Sequence, residues 1–426
     1  MNITSLYEIY QAYPSVQTDT RKLKQGDLFF ALKGPSFNGN AFAQQALDNG
    51  AAYAVVDEKE YRTSNKTILV DDALTALQDL ALHHRRQLNI PFLSITGSNG
   101  KTTTKELIHA VLATTFNTYT TEGNLNNHIG VPLTILKIRT DAEMAVIEMG
   151  ANHLGEIASY CRIAEPTHGL ITNIGKAHLE GFGSAEGVRK GKGELFDYLA
   201  LHNGTVFIMH DFNNLREMGS AFTNAVFYGS REGDVTGDAL SSSQFLSVGF
   251  TKGLSANINT QLVGEYNLPN VLAAAAVGKY FKVPDEKIAA ALEAYSPNNS
   301  RSQLVKKKDL SIILDAYNAN PSSMKVAVDN FARLECGEKV LILGAMAELG
   351  QDSITEHKEL VDQIAQTSWS QVVLVGGDFL KVDHGYLKFE TAPQAGEWLA
   401  GKINPQACLL IKGSRSMQME KILDYL

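Results

Sequence analysis

Apolar residues along this chain come in short blocks separated by longer, mostly polar stretches, a rhythm of buried strands alternating with helices. In the first stretch, to about residue 88, residues 27–31 and 52–56 read as strands, with a turn-rich loop at 33–40 between them. A second alternation opens at Pro91. Residues 92–96 form a buried strand, then a glycine-rich turn and a helix over 103–114. Further strands are predicted at 145–149, 169–174 and 205–209, and an alanine-rich helix at 268–281. A third alternation begins near Ser302, with strands at 311–315, 339–344, 372–376 and 408–411 that end on Gly, Asp or Lys-Gly.

Strands spaced widely enough for intervening helices predict parallel sheets covered on both faces, with ligands at the carboxyl ends of the strands. The expected fold class is α/β in three domains. These are a small α/β module over 1–88, a central parallel-sheet domain over 89–301 and a doubly wound domain over 302–426. A length of 426 residues agrees, being too long for one ordinary core.

Composition narrows the class. With 44% hydrophobic and 20% charged residues the chain reads as soluble and globular. No apolar run approaches the roughly 20 residues that span a bilayer. The opening MNITSLYEIY lacks the basic start and apolar stretch of a signal peptide, so a cytosolic location is expected. A net charge of −8 gives no support for nucleic-acid binding. Cys161, Cys336 and Cys408 are odd in number, widely spaced and without a CxxC pair, which predicts buried core thiols rather than disulfides or a zinc site.

The sharpest chemical signal is Thr96-Gly-Ser-Asn-Gly-Lys-Thr-Thr-Thr104, between a strand and a helix. Here Gly97, Ser98, Asn99, Gly100 and Thr103 would turn backbone N–H groups toward phosphate oxygens at a helix N-terminus. Lys101 would reach the β- and γ-phosphates and Thr102 would sit on Mg²⁺. The loop departs from the general pattern, with two residues rather than four between its glycines and Ile95 where the first glycine would stand. Glu148 ends an apolar strand, where a carboxylate needs a partner or a metal. His178 and the Lys190-Gly-Lys-Gly-Glu194 run are unremarkable alone.

In combination they are not. TGSNGKTTTKE, GNLNNHIGVPLT (123–134), AVIEMGANHLGEI (145–157), ITNIGKAHLEGFGSAEGV (171–188), GEYNLPNVLAAAA (264–276), DAYNANPSSM (315–324) and KGSRSMQME (412–420) together resemble the Mur ligases, in order and along essentially the whole chain. The resemblance implies a uridine-nucleotide domain first, then a P-loop ATPase-like domain and a Rossmann-like ligase domain. It implies ATP-dependent amide formation through an acyl phosphate, with two Mg²⁺ ions. NLNNHIGVPLT and YNANPSSM are most similar to the branch that joins D-alanyl-D-alanine to UDP-N-acetylmuramoyl-tripeptide. Such an enzyme would act as a monomer, without nucleic acid or membrane insertion.

The same resemblance implies roles. Lys101, Glu148, His178 and Lys192 would be catalytic, with Thr102 and Glu148 on one Mg²⁺ and His178 with a carbamylated Lys192 at the second. Asn267 and Asn270 would contact adenine, Arg301 the phosphates and Asp315 the ribose. Thr18, Asp19, Thr20, Arg21, Lys33 and Asn38 fall to the uridine-nucleotide substrate, Asn124 and Asn127 to its peptide, and Asn318, Asn320 and Arg415 to the third-domain face. Tyr266 stands where many relatives have histidine, and Ala345 where an aspartate is frequent. Because ATP contacts would come from two domains, the site is expected to be complete only when these approach. Other readings of the loop are another ligase of the superfamily, including a folylpolyglutamate synthase, a P-loop phosphotransferase or switch, or a nucleotide-binding scaffold without catalysis.

Overall fold

The computed structural model describes residues 2–240 and 245–426. Three main sheets follow one another along the chain. The first is parallel and runs Val16–Gln17, Leu28–Phe30, Tyr53–Val56, Thr67–Leu69 in that spatial order. Its helix Ala73–Arg85 starts where Asp72 accepts the Thr75 N–H at 2.6 Å, an N-cap that satisfies one of the unpaired donors of the first turn.

The central sheet reads across as Asn257–Val263, Phe245–Lys252, Val235–Ala239, Ala225–Gly229, Thr205–Met209, His168–Ile171, Phe92–Thr96, Met144–Glu148 and Thr118–Thr120. Its six strands from Ala225–Gly229 to Thr118–Thr120 are parallel, and Val235–Ala239 continues them before the last two turn antiparallel. The helix Leu268–Tyr280 is buried at every position from Asn270 to Gly278, as expected for a helix apolar on all sides. It lies against the helix Lys101–Leu112.

The third sheet reads Gln303–Lys307, Leu310–Asp315, Cys408–Lys412, Lys339–Gly344, Gln371–Val375, Leu387–Phe389, parallel except for the first pair. Helix Pro321–Arg333 begins with Asn320 and Ser323 in a reciprocal capping box and proline at its first position.

One hydrophobic core runs without a break from Leu6, Tyr10, Leu77 and Leu80 of the first sheet's layer into Val111, Ile135 and Ile147 of the central one. Polar contacts follow the same seam. Tyr10 Oη donates to Leu136 O at 2.5 Å, and Arg85 Nε to Ala164 O at 2.7 Å. The third sheet has separate cores on its two faces.

Several boundaries differ from expectation. The strand predicted over 169–174 ends at Ile171, because Thr172 and Asn173 leave the sheet to hold the glycine-rich loop. The helix predicted from Thr103 already begins at Lys101. The cysteine expectation holds only for Cys161, which is buried and free. Cys336 and Cys408 instead form a disulfide. Cys408 is the register partner of Lys339 in the neighbouring strand, which brings Cys336, in the approach to that strand, alongside it across 72 residues of sequence.

Candidate active site

Three carboxyl strand ends converge in the central sheet. Phe92–Thr96 lies in the middle, Met144–Glu148 on one side and His168–Ile171 on the other. The glycine-rich loop leaves the middle strand and opens the helix Lys101–Leu112. Gly97 has φ 145°, and a Cβ there would come within 2.0 Å of Thr172 Oγ1. Gly100 has φ 78°, and its Cβ would meet Asn270 Oδ1 at 2.8 Å. Both positions need glycine for backbone conformation and for close approach. Ile95 is a fully buried member of the strand, so the loop begins only at Gly97 and is correspondingly short.

The loop is fastened to residues 172–175. The Ser98 N–H donates to Asn173 O at 3.0 Å, and the Asn99 N–H to Asn173 Oδ1 at 3.0 Å. Thr172 Oγ1 donates to Asn99 O at 2.6 Å and Ser98 Oγ to Gly175 O at 3.1 Å. Lys101 Nζ donates to Gly97 O at 2.6 Å. Burial pushes its ammonium down to about 8, opposed by the Glu148 carboxylate and reinforced by Arg301.

Glu148 is 1% exposed. Its Oε1 accepts from Asn126 Nδ2 at 2.8 Å, while its Oε2 has no hydrogen-bond partner. The buried Thr102 Oγ1 is also without one. Both are buried oxygens left without a hydrogen-bond partner, and oxygen is the donor type a hard divalent cation takes.

Lys192 is fully buried, with Nζ donating to Ala151 O at 3.2 Å and lying 5.2 Å from the Phe182 ring centroid. Burial, then Lys101, push its ammonium well below the ordinary lysine range against the opposing pull of Glu156 and Glu194. Glu194 itself accepts the Gly155 and Ala158 N–H groups. His178 has φ 52° and its Nδ1 meets Glu348 Oε2 of the third sheet's layer.

Lys101, Glu148 and His178 border a cavity of about 1000 Å³ between the central and third sheets. Ser98, Asn99, Gly100, Lys101 and Thr103 line it from the loop, with Glu148 and His178 beside them. Asn124, Asn127, Asn267, Asn270 and Arg301 line it too, and Asp315, Asn318 and Asn320 face them from the third sheet's layer.

Several of these side chains are engaged by the chain itself. Asn267 Nδ2 donates to Val263 O, and Asn270 joins Asn267 Oδ1 to Thr104 Oγ1. Asn127 Oδ1 accepts the Ile129 and Gly130 N–H groups. Asp315 is paired with the buried Lys412 at 2.6 Å, and Lys412 also donates to Asn318 O. Arg301 stacks its guanidinium 3.8 Å from the Tyr317 ring centroid and keeps a buried Nε without a partner.

Other candidates lie apart from the cavity. Gly97, Thr102 and Lys192 are not among the residues that line it. Arg415 is largely exposed and pairs with Glu420 at 2.8 Å. On the first sheet, Thr18 and Thr20 flank Asp19, whose carboxylate the Arg21 guanidinium holds at about 2. Nearby, Lys33 pairs with Asp57 at 3.1 Å and Asn38 donates to Glu58 at 3.0 Å, a second polar cluster.

Sequence reasoning passed over Asn126, Lys412 and Glu348. Asn126 and Lys412 stand within the motifs of 123–134 and 412–420 and Glu348 lies three residues past Ala345, but nothing in the spacing says which asparagine turns toward Glu148. Tyr266 lines the cavity and donates to Ser302 Oγ at 2.7 Å. Ala345 packs where a Cβ on Gly377 would come within 2.5 Å.

Comparison with known proteins matches this arrangement. Residues 95–278 match the Mur ligase middle domain, 300–415 the Mur ligase glutamate ligase domain, and 13–85 the Mur ligase family catalytic domain. The chain is 38% identical over 422 residues to the UDP-N-acetylmuramoyl-tripeptide–D-alanyl-D-alanine ligase of Bacillus subtilis (strain 168), covering 96% of this chain and 92% of the relative. To the ligase of the same name from Escherichia coli (strain K12) it is 34% identical, with the same coverage of both chains. Among solved structures, MurF from Acinetobacter baumannii superposes with a TM-score of 0.88 at 30% identity, over 98% of this chain and 97% of that one. MurF ligase from Thermotoga maritima in complex with ADP gives 0.87 at 27% identity, over 96% of each. With a shared three-sheet architecture and identity at this level over almost its whole length, the chain belongs to the Mur ligase family.

Proposed function

We propose that this protein joins D-alanyl-D-alanine to UDP-N-acetylmuramoyl-tripeptide with hydrolysis of ATP to ADP and phosphate, the last cytoplasmic amide bond of the peptidoglycan precursor. The observation that carries the reading is the 38% identity to a ligase of that name over 96% of the chain. Its phosphate loop opens into the cavity shared by the central and third sheets.

A carboxylate is a poor electrophile, so its oxygen must first become a leaving group. The tripeptide carboxylate attacks the γ-phosphorus of ATP and ADP departs, leaving an acyl phosphate. The dipeptide amine then adds to the acyl carbon, and phosphate leaves from the tetrahedral adduct. The chain's contribution is to position the reactants and neutralise clustered anions. Lys101 and the N–H groups at the start of its helix, beyond the Ser98 and Asn99 N–H groups held by Asn173, bind the transferring phosphoryl group, and the unpartnered Arg301 Nε suits the same anion. Asp315 with Lys412, and Asn318 with Asn320, supply the opposing face for ribose and dipeptide.

Thr102 and Glu148 would hold one Mg²⁺, and their orphaned buried oxygens fit it. Bound there, the ion would screen the phosphate charges. His178 and Lys192 would serve the second. The buried Lys192 amine, poor in acceptors and held toward its neutral form, suits reaction with CO₂. A new N–C bond forms and a proton is lost, giving a carbamate whose oxygens match a hard cation. The Thr18–Arg21 and Lys33–Asn38 clusters would take the uridine nucleotide, with residues 1–88, 89–301 and 302–426 as the three working domains. The protein is expected to act as a cytoplasmic monomer, and no helix among the described residues is long and apolar enough to cross a membrane.

The deciding experiment supplies purified protein with ATP, Mg²⁺ and UDP-N-acetylmuramoyl-tripeptide, and measures phosphate release with and without D-alanyl-D-alanine. Release that depends on the dipeptide and yields the pentapeptide supports the reading. Dipeptide-independent hydrolysis, or transfer to another acceptor, sinks it.

A further inference from the structure

Residues 173–176 touch the phosphate loop on one side and the third sheet's layer on the other. Toward the loop, Asn173 O accepts the Ser98 N–H and Asn173 Oδ1 the Asn99 N–H, each at 3.0 Å, and Gly175 exchanges hydrogen bonds with Ser98 Oγ. Toward the third layer, a Cβ on Gly175 would come within 2.7 Å of Ser322 Oγ, so the two layers pass here with no room for a side chain. Ser322 Oγ donates to Lys176 O at 3.3 Å. Lys176 Nζ donates to Glu356 Oε1 at 2.6 Å and has Glu359 Oε2 at 3.8 Å.

The two holds on Lys176 come from different helices. Ser322 opens Pro321–Arg333, and Glu356 lies in the first turn of Ser353–Ile364. That second helix start is itself pinned. His357 is fully buried; its Nε2 accepts the Met346 N–H at 3.0 Å and its Nδ1 donates to Ser353 O at 2.7 Å. Glu356 is buried, and a buried carboxylate needs a partner. Its partner is a lysine of the central sheet's layer.

We infer that Lys176 is a positioning residue for the phosphate loop: its ion pair with Glu356 lets the third sheet's layer hold segment 173–176, and that segment sets the backbone of Ser98 and Asn99. Lys176 is not among the residues that line the cavity, so the pair acts on the nucleotide site through the backbone it holds. Without the pair, the segment keeps its bonds to the loop but loses an anchor on its far side. The loop then gains freedom that a nucleotide must remove on binding. The Lys176 side chain is 50% exposed, so the effect is a few-fold in affinity rather than orders of magnitude, and salt weakens it. The inference rests on the ligase reading above for the choice of a nucleotide as probe, though not for the contacts themselves.

The test compares wild type with Lys176→Met, Glu356→Gln and the double variant. Methionine keeps the apolar stem without the charge, and glutamine keeps the shape of the carboxylate. Hydrogen exchange of the nucleotide-free protein is followed by mass spectrometry over residues 97–103, and the Kd of ADP with Mg²⁺ is measured by calorimetry. In both single variants exchange over 97–103 is expected to rise, with the first-layer helix Ala73–Arg85 unchanged, and the ADP Kd to rise about 2–5-fold. The double variant should match either single one, since both remove the same pair. In about 1 M salt, where the screening length is about 3 Å, wild type should approach the variants. Unchanged exchange over 97–103 in Lys176→Met overturns the inference, as does raised exchange with an unchanged ADP Kd. So do losses that add in the double variant. If wild type binds no ADP, the nucleotide reading fails while the exchange over 97–103 still decides whether Lys176 positions the loop.

Discussion

Asn320, at the start of a third-sheet helix, donates its side-chain amide to Asn99 Oδ1 of the phosphate loop at 2.8 Å. The same side chain caps its own helix by accepting the Ser323 N–H at 2.9 Å. Asn320→Asp separates these duties, since a carboxylate still caps but has no proton to give. The expected result is unchanged thermal stability with KM for ATP raised about 2–10-fold, the worth of one hydrogen bond of about 0.5–1.5 kcal/mol. An unchanged KM would mean that the bridge does not order the loop for nucleotide.

Lys101 is the cation held closest to the loop, bonded to Gly97 O and linked electrostatically to Glu148. Lys101→Ala should reduce turnover by at least about 10²-fold, at about 1.4 kcal/mol per tenfold. The circular dichroism spectrum should stay unchanged. Near-normal ligation by this variant would remove the phosphate-loop assignment.

Lys192→Ala should lose most activity and regain part of it with short carboxylic acids, which replace the carbamate oxygens. ¹³C-bicarbonate should give a carbamate carbon signal in wild type that is missing from the variant. Rescue by small amines instead, with no such signal, would identify Lys192 as a direct phosphate cation.

His168 gives a pH-dependent stability. Its ring packs among Phe207, Tyr280 and Phe281, and burial pushes its pKa from the ordinary 6.5 to about 4. Between those values the unfolded chain binds the proton and the native one does not, so stability rises with pH through the window and is lost as pH falls. The loss between about pH 7 and about pH 5 should be about 2 kcal/mol. Urea unfolding at both pH values checks it: His168→Phe should lose less stability on acidification than wild type. An equal loss in both would acquit this histidine.

Strands buried on both faces, such as Met144–Glu148 and Lys339–Gly344, were legible because each carries a run of four apolar residues before a polar or turn residue. Asn257–Val263 was not. Its buried and exposed positions alternate, but Asn, Thr and Gln occupy most of them, and it is an edge strand paired antiparallel with one neighbour, Phe245–Lys252. At the site, the loop and Glu148 stand out because their chemistry follows directly from chain order. The bonds of Asn126, Glu348 and Lys412 depend on which segments meet in space. Cys336 and Cys408 were misjudged for the same reason, since their proximity is created by strand register alone.

The unbroken core between the first two sheets bears on how such a protein can be rebuilt. A cut near residue 88 would strip Leu77 and Leu80 of the side chains that cover them and expose Ile135 on the opposite fragment. The first layer is therefore not an exchangeable cassette. A chimaera that borrowed another ligase's first layer would have to bring the matching face of the helices Gly130–Leu136 and Glu156–Ala164 with it. The third layer has cores of its own, so a transplant at residue 301 has less apolar packing to reconcile, chiefly Val263 and Phe245 of the central sheet, beside polar contacts such as Asn320 with Asn99 and Lys176 with Glu356.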